Sequence, residues 1–325
     1  MSIQQATARA GANIALVKYW GKRDAHLNLP AAGSISITLD GLETRTTVAP
    51  EPGLEVDELL LDGKPVSAER ITPVLARFRA LAGADMRCRV TTENSFPTGA
   101  GLASSASGFA ALAVAADAAF ATRLAPESLS EQARLGSGSA ARSIFGGFVE
   151  LDAGQRADGR DAVARPLADA REWPLEVVVA ITDAQAKSVS STDGMNHTMS
   201  TSPYYPAWVE SVPPDLARAR QAIAAQDFEQ LAEVSEHSAL KMHASALAAQ
   251  PGLLYWNAAT LHCLHEIQSL RSKGVGVFFT IDAGPQVKAV CLPGQGEAVA
   301  ERLQGVDGVL RVIQTGLGSG AGLVT

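Results

Sequence analysis

The segment 94–120, NSFPTGAGLASSASGFAALAVAADAAF, constrains the fold most, because its second half is an apolar helix with almost no polar face. From residue 104 onward it predicts about five turns of α-helix, built mainly from Ala, with Asp117 near the end. The stretch has the length of a membrane span, but its Ala, Ser and Gly content makes it only weakly hydrophobic. We therefore expect a closely packed internal helix that other elements cover.

The start of this helix combines glycines with hydroxyl side chains. Gly99 and Gly101 allow the backbone to approach a phosphate, and the unpaired N–H groups of a helix N-terminus attract anions. Ser104, Ser105 and Ser107 add hydroxyls, which can also reach a metal ion. A helix capped by one serine is the alternative, and the residues alone leave both interpretations open. The spacing matches neither the P-loop nor GxGxxG, so a phosphate cradle here is of another kind.

Composition excludes several classes of function. The chain has 325 residues and a net charge of -7, which argues against a nucleic-acid partner because such binding needs clustered Lys and Arg. Its three cysteines, Cys88, Cys263 and Cys291, are far apart, as is typical of reduced intracellular thiols. The first twenty residues lack the pattern of a signal peptide. We expect a cytoplasmic protein with neither a nucleic-acid nor a membrane partner.

Strand and helix patterns are mixed along the whole chain without regular alternation, which favours an α+β fold. Asp40-Gly41 and Asp62-Gly63 each lie between apolar runs and predict two β-hairpins. The polar, turn-rich segment 181–205 predicts a joint between two domains, 1–182 and 183–325.

Two further segments have the composition of anion sites. KYWGKRD concentrates Lys18, Lys22 and Arg23 around two aromatic residues, although most such clusters are solvated turns. GSGSAARS resembles a flexible linker, but it lies between apolar segments, where linkers are rare. Its glycines allow backbone N–H groups to converge on an anion, and the planar guanidinium of Arg142 suits a carboxylate.

Two other segments place polar side chains after apolar or turn-forming sequence. TIDAGP ends an apolar strand at Asp282, which either starts a turn or serves as the acid that orients a substrate hydroxyl. SSTDGM is a serine-rich turn, and turn chemistry explains most of it.

The segment PTGAGLASSASGFAAL resembles the phosphate-binding motif of the GHMP kinase superfamily, and within it most closely the diphosphomevalonate decarboxylase family. Four other segments resemble motifs of that family in the same order: NIALVKYWGKRDAHLNLP, GSGSAARSIFGGF, KSVSSTDGM and FFTIDAGP. The five motifs span residues 13 to 285. The chain departs from the family at Ala31, Ala32 and Gly33, which replace polar residues near the expected active site.

The resemblance implies a fold of two α+β domains, an N-terminal ATP-binding domain with a left-handed βαβ crossover and a ferredoxin-like C-terminal domain. It implies Asp282, Lys18 and Arg142 as catalytic residues. It implies nucleotide contacts at Pro97, Gly99, Gly101, Leu102, Ala103, Ser104, Ser105 and Ser107, with magnesium at Ser104 and Ser105. It implies substrate contacts at Asn13, Tyr19, Lys22, Ser137, Gly138, Ser139, Arg142, Ser191, Thr192 and Met195.

The implied activity is ATP-dependent decarboxylation of mevalonate 5-diphosphate to isopentenyl diphosphate by a homodimer, with ATP and magnesium as cofactors. A phosphomevalonate decarboxylase or a mevalonate-type kinase of the same superfamily is the first alternative. The second is a nucleotide-binding regulatory protein without catalysis, against which the presence of Lys18, Arg142 and Asp282 argues.

Overall fold

The computed structural model describes residues 4–96, 104–185 and 188–324. Its strands are β1 Ala6–Val17, β2 Lys22–Asp24, β3 Leu29–Pro30, β4 Ser34–Pro50, β5 Glu58–Leu61, β6 Lys64–Val66, β7 Cys88–Asn94, β8 Phe148–Leu151, β9 Ala164–Ala168, β10 Glu176–Ile181, β11 Val277–Ile281, β12 Val287–Cys291, β13 Arg311–Gly316 and β14 Gly322–Leu323. Its helices are α1 Thr72–Ala82, α2 Ser104–Phe120, α3 Pro126–Gly136, α4 Ser191–Thr201, α5 Tyr205–Ala225, α6 Phe228–Leu247, α7 Ala258–Ser272 and α8 Gly296–Gln304, with a 3₁₀ helix at Gly138–Ile144.

The first half of the chain forms a large sheet around helix α2. The sheet has the order β14-β1-β4-β7-β5-β6, and β8 and β9 extend it from β4. Helix α2 packs on β1 and β4 and is covered by α1, α3 and the 3₁₀ helix. Eleven of its residues are buried, most of them alanines, and small side chains allow such close approach on every side. The expectation of an internal helix is confirmed.

One of the two predicted hairpins is wrong. Strand β4 continues through Asp40-Gly41, because both of its halves pair with β1, Gly11 opposite Glu43 and Asn13 opposite Thr38. The intervening residues 39–42 form a bulge that buries two leucines and exposes Asp40 and Gly41. The Asp62-Gly63 hairpin is confirmed: β5 and β6 pair across it, with φ of 48° and 76° at the two turn residues.

The second half of the chain forms a four-stranded antiparallel sheet. Its order is β11-β12-β10-β13, and helices precede β11 and β13, which gives the β-α-β-β-α-β topology of a ferredoxin-like domain. Helices α7 and α8 pack on one face of the sheet. Residues of α5 and α6 cover the other face, so β10 is an unbroken apolar strand buried on both sides. The α+β fold and the ferredoxin-like second sheet are confirmed.

Strand pairing bears on where the chain divides. Strand β10 precedes the predicted boundary at 182/183, yet it pairs with β12 and β13 of the second sheet. Near the other end of the chain, β14 returns to pair with β1 of the first sheet. The division into 1–182 and 183–325 stays a prediction, and we propose moving its boundary to the segment between β9 and β10.

The two sheets meet where β1 ends. The backbone N–H of Lys18 donates to Ser238 of α6 at 3.0 Å. The hydroxyl of Thr280 in β11 donates to the Ala15 carbonyl at 2.9 Å. These bonds fix the end of β1 against α6 and against the end of β11. Within the described ranges, no helix is long and apolar enough to cross a membrane.

Candidate active site

A cleft of about 710 Å³ opens where the two sheets meet. It is lined by the three predicted catalytic residues, Lys18, Arg142 and Asp282. The other predicted substrate contacts also line it: Asn13, Tyr19, Lys22, Ser137, Gly138, Ser139, Ser191, Thr192 and Met195. Ser104 and Ser105, at the start of α2, line it as well. Segments that are far apart in the sequence therefore share one cavity.

Six further residues were predicted as nucleotide contacts. Five of them, Pro97, Gly99, Gly101, Leu102 and Ala103, lie outside the described residues. The sixth, Ser107, is fully buried, and its hydroxyl lies 2.6 Å from the Thr44 hydroxyl of β4. Ser107 points at the sheet because it lies one turn along α2, on the face that packs against β4. Its assignment to the nucleotide site stays a prediction, and this contact favours a structural role for its hydroxyl.

Asp282 lies between two lysines. Its Oδ1 accepts a hydrogen bond from Lys18 Nζ at 2.7 Å, and its Oδ2 lies 3.2 Å from Lys288 Nζ. We call these three residues the paired region. Lys288 was not among the predicted residues, although a lysine inside the apolar strand VKAVC is itself a signal, because a buried ammonium requires a partner.

The paired region is built from strand ends. Asp282 follows the last residue of β11, and Lys18 follows the last residue of β1. The Ala15 carbonyl accepts from both Lys18 Nζ, at 2.8 Å, and the Thr280 hydroxyl, at 2.9 Å. One carbonyl of β1 therefore holds the lysine and the strand that presents the aspartate, which sets their separation.

Burial and neighbouring charges shift the pKa values of Lys18 and Asp282 in opposite directions. Burial lowers the pKa of Lys18 to about 8, against the opposing effect of the Asp282 carboxylate. Burial raises the pKa of Asp282, but the charges of Lys18 and Lys288 outweigh it and hold that pKa below its usual range. Asp282 is therefore ionised near neutral pH, and Lys18 loses its proton at mildly alkaline pH.

Arg142 is buried at the floor of the cleft. Its guanidinium donates to the hydroxyls of Ser34 and Ser36 at 2.6 and 2.9 Å, and to Asn13 Oδ1 at 3.1 Å. Within the described part of the chain no carboxylate forms an ion pair with it, and burial lowers its pKa to about 10. A guanidinium has five N–H donors, and these neutral partners leave some of them, and the charge, available to an anionic ligand.

Tyr19 packs directly on the glycine-serine segment. A Cβ atom on Gly138 would lie 2.1 Å from the Tyr19 hydroxyl oxygen, so this contact requires glycine. Burial raises the pKa of Tyr19, which keeps its hydroxyl protonated and able to donate. The hydroxyls of Ser137 and Ser139 lie 3.3 Å apart beside it. This wall of the cleft therefore presents a cluster of neutral hydroxyl groups.

Two further cations form what we call the cationic region, Lys22 and Arg70. Lys22 is buried, and its pKa is lowered by burial and then by the charge of Arg70. Arg70 lies just before α1, with its guanidinium 5.0 Å from the centre of the Phe109 ring. Among residues 4–96, 104–185 and 188–324 neither cation has an acidic partner. The sequence analysis missed Arg70, since a charged residue preceding a helix is ordinary.

The serine-rich turn forms the start of helix α4. Ser190 caps this helix by accepting a hydrogen bond from the Asp193 N–H at 3.1 Å. Met195 is buried, and Thr192 is exposed at the cleft. The side chains of Ser191, Thr192 and Met195 therefore cover part of the cleft from the second half of the chain.

Comparison with known proteins agrees with this arrangement. Residues 10–164 match the family described as the diphosphomevalonate decarboxylase-like N-terminal domain, and residues 177–314 match the mevalonate 5-diphosphate decarboxylase C-terminal domain. The chain belongs to the diphosphomevalonate decarboxylase family. The gap between the two matches, residues 165–176, contains the segment between β9 and β10, where strand pairing also divides the chain.

Individual relatives are similar over most of their length. The diphosphomevalonate decarboxylase of Aspergillus fumigatus is 38% identical over 94% of this chain and 81% of its own. The human enzyme of that name is 37% identical over 86% of this chain and 74% of its own. The mevalonate diphosphate decarboxylase structure from Staphylococcus aureus superposes with a TM-score of 0.93 at 36% identity, covering 100% of this chain and 99% of that one.

Proposed function

We propose that this chain catalyses the ATP-dependent decarboxylation of mevalonate 5-diphosphate to isopentenyl diphosphate, releasing ADP, phosphate and carbon dioxide. Membership of the decarboxylase family supports the reaction class. A solved relative with a TM-score of 0.91 and 36% identity, covering 99% of each chain, is described as MDDEF in complex with MVAPP, AMPPCP and magnesium. The observation that carries the proposal is Asp282, an ionised carboxylate held between two lysines beside an arginine that lacks an acidic partner among the described residues.

The substrate carries two anionic groups, and the cleft offers a separate place for each. Arg142 binds the carboxylate, because its planar fork matches two carboxylate oxygens and its present partners are neutral. The cationic region binds the diphosphate, since buried Lys22 and exposed Arg70 both lack an acidic partner among the described residues. Tyr19 and the hydroxyls of Ser137 and Ser139 add neutral donors to the diphosphate. Ser191, Thr192 and Met195 close over it from α4.

The start of α2 fits ATP and magnesium. Ser105 is exposed and Ser104 half-buried at the cleft, and the first N–H groups of a helix lack intrahelical partners. Magnesium prefers oxygen ligands and commonly uses one or two from the protein with the rest from phosphates and water, so hydroxyls suffice. When bound, magnesium neutralises the charge of the transferring phosphoryl group. Within the described residues, no group of three His, Cys, Asp or Glu side chains could hold a metal.

The paired region acts on the tertiary hydroxyl of the substrate. Asp282 orients this hydroxyl and accepts its proton as the oxygen attacks the γ-phosphoryl group. The phosphorylated oxygen then leaves as phosphate, and the electron pair of the bond to the carboxylate carbon forms the new double bond as carbon dioxide departs. Arg142 aligns the carboxylate, and Lys18 screens the negative charge between it and the phosphoryl group. Placement and electrostatics supply most of this catalysis.

A coupled assay tests this function. ADP and carbon dioxide release are measured with mevalonate, its monophosphate and its diphosphate, each with ATP and magnesium. We expect both products, in equal amounts, from the diphosphate. ADP without carbon dioxide would indicate a kinase, carbon dioxide from the monophosphate would indicate a phosphomevalonate decarboxylase, and neither product would indicate a non-catalytic protein.

We also propose that the protein acts as a homodimer in the cytoplasm. The resemblance to the family supports the dimer, and the separated cysteines support a reducing compartment. Light scattering of the purified chain should give twice the 33.8 kDa of the chain, and a value near that of one chain would contradict the dimer.

A further inference from the structure

Lys288 is a charged residue in an apolar place. It lies inside β12, whose five residues are all buried, and its own side chain is 2% exposed. Burying an ammonium group without a partner is strongly unfavourable, so its contact partner explains why the residue is tolerated. In the described part of the chain the one acidic partner of Lys288 is Asp282.

The two lysines approach Asp282 from different sides. Lys18 contacts Oδ1 from the end of β1, in the first sheet, and it lines the cleft. Lys288 contacts Oδ2 from β12, which pairs with the strand that precedes Asp282, and it does not line the cleft. The substrate can therefore reach Lys18, whereas Lys288 contacts only the protein side of the carboxylate.

We propose that Lys288 is a positioning residue for the reaction: it holds the Asp282 carboxylate from the protein side, which leaves Lys18 able to share its charge with the substrate. This inference rests on the proposed function. Without Lys288, Lys18 is the one cation among the described residues that contacts Asp282, so Asp282 Oδ1 competes with the anionic substrate for its charge. Lys288 therefore sets both the orientation of the carboxylate and the freedom of Lys18.

The charges around Lys18 make the role measurable. Lys18 is faced by Asp282, Lys288 on β12, Arg142 on the 3₁₀ helix and His243 on α6. Burial and then Lys18 lower the pKa of His243 to about 3, so this histidine stays neutral over the useful pH range. The charges of Lys288 and Arg142 both lower the pKa of Lys18. As long as the Asp282 contact is kept, we expect loss of the Lys288 charge to raise the pKa of Lys18.

The test is the pH dependence of kcat/KM in the chain and in Lys288→Met. In the parent we expect kcat/KM to fall as pH rises through about 8, where free Lys18 loses its proton. In Lys288→Met we expect kcat to fall by about 10- to 100-fold, with a smaller change in KM, because the carboxylate is misplaced. The alkaline limb of the profile, where kcat/KM falls as pH rises, should nevertheless move to higher pH by roughly half a unit or more. Lys288→Arg, which keeps the charge, should retain the parent's limb.

Lys241→Met is the matched control. Lys241 also forms an ion pair with a buried aspartate, Asp215, at 2.6 Å, but on α5 and α6 outside the cleft. Its loss should lower stability and leave the alkaline limb unchanged. An unshifted limb in Lys288→Met, or an equal shift in Lys241→Met, overturns the positioning role.

A second measurement does not depend on activity. Unfolding by denaturant is compared for the parent, Lys288→Met, Asp282→Asn and the double variant. If Lys288 and Asp282 are in direct contact, the effects of the two substitutions on the free energy of unfolding are not additive. Additive effects overturn the inference. If the parent releases no carbon dioxide from any of the three substrates, the proposed function fails, and this cycle still decides whether Lys288 holds Asp282.

Discussion

In the paired region Lys18 and Lys288 both contact Asp282, whereas in the cationic region Lys22 and Arg70 have no acidic partner among the described residues. The first arrangement holds its charges in place without any ligand, as preorganised catalytic groups require. In the second, the desolvation of the buried Lys22 ammonium stays uncompensated until an anion binds. Under the proposed function, the paired region is therefore suited to reaction and the cationic region to binding, although both contain lysines.

Of the substitutions considered, Asp282→Asn should have the largest effect on kcat, because it removes the carboxylate at the centre of the paired region. The amide keeps the shape of the side chain but cannot accept the hydroxyl proton, so we expect kcat to fall by about 100-fold or more. Steady-state kinetics with mevalonate diphosphate measure this. Asp215→Asn is the control, because it breaks a comparable buried pair with Lys241 outside the cleft. An unchanged kcat in Asp282→Asn removes this residue from the mechanism.

Arg142→Lys should come next. Lysine keeps the positive charge but loses the planar fork, so carboxylate alignment fails, and we expect kcat/KM to fall by about 10- to 100-fold. The same assay measures it. Arg79→Lys is the matched control. Arg79 lies outside the cleft and donates two hydrogen bonds to buried Asp57, at 2.8 and 2.9 Å. Equal losses of kcat/KM in the two variants would argue for general destabilisation instead.

Lys22→Met should affect binding more than reaction. Loss of one charge-assisted contact to the diphosphate predicts a KM for the substrate about tenfold higher, with a smaller change in kcat. The neighbouring Arg23→Met is the control, since Arg23 is exposed and donates to the carbonyls of Ala153 and Arg156. A fall in kcat at constant KM in Lys22→Met would mean that this lysine acts in the reaction, as the paired region does. That result would contradict the division between a reacting and a binding region.

The smallest effects are expected for two serines of α2, Ser105 and Ser107, and they should differ in kind. Ser107→Ala removes the hydroxyl contact with Thr44, and we expect the free energy of unfolding to fall by about 1 kcal/mol while the KM for ATP is unchanged. Ser105→Ala, at the exposed start of the helix, should raise the KM for ATP and leave stability unchanged. Denaturant unfolding and ATP titrations measure both variants. The reverse pattern would return Ser107 to the nucleotide site.

Local sequence predicted those parts of the molecule that local chemistry determines. The internal helix α2, the Asp62-Gly63 turn and the strand leading to Asp282 follow from periodicity and turn residues. The prediction of a hairpin at Asp40-Gly41 was wrong, because pairing of both halves of β4 with β1 outweighs the local turn signal. Such long-range pairing is invisible in a window of a few residues.

The same limit applies to the site. Family motifs identified fourteen residues that share the cleft, but motifs do not say which side of a helix faces the sheet, so they could not predict that Ser107 is buried against Thr44. Arg70 reaches the cleft from the segment before α1, which no motif covers. Lys288 was the one omission that physical reasoning could have found, because a lysine in a buried strand must have an acidic partner nearby.

Calorimetric titration of mevalonate diphosphate into Asp282→Asn and Lys22→Met tests the division between reaction and binding most directly. The account predicts that Asp282→Asn binds this substrate no more weakly than the parent chain, because the paired region loses a negative charge and no contact to the diphosphate. It predicts that Lys22→Met binds about tenfold more weakly. Weak binding by Asp282→Asn together with parent-like binding by Lys22→Met would contradict it.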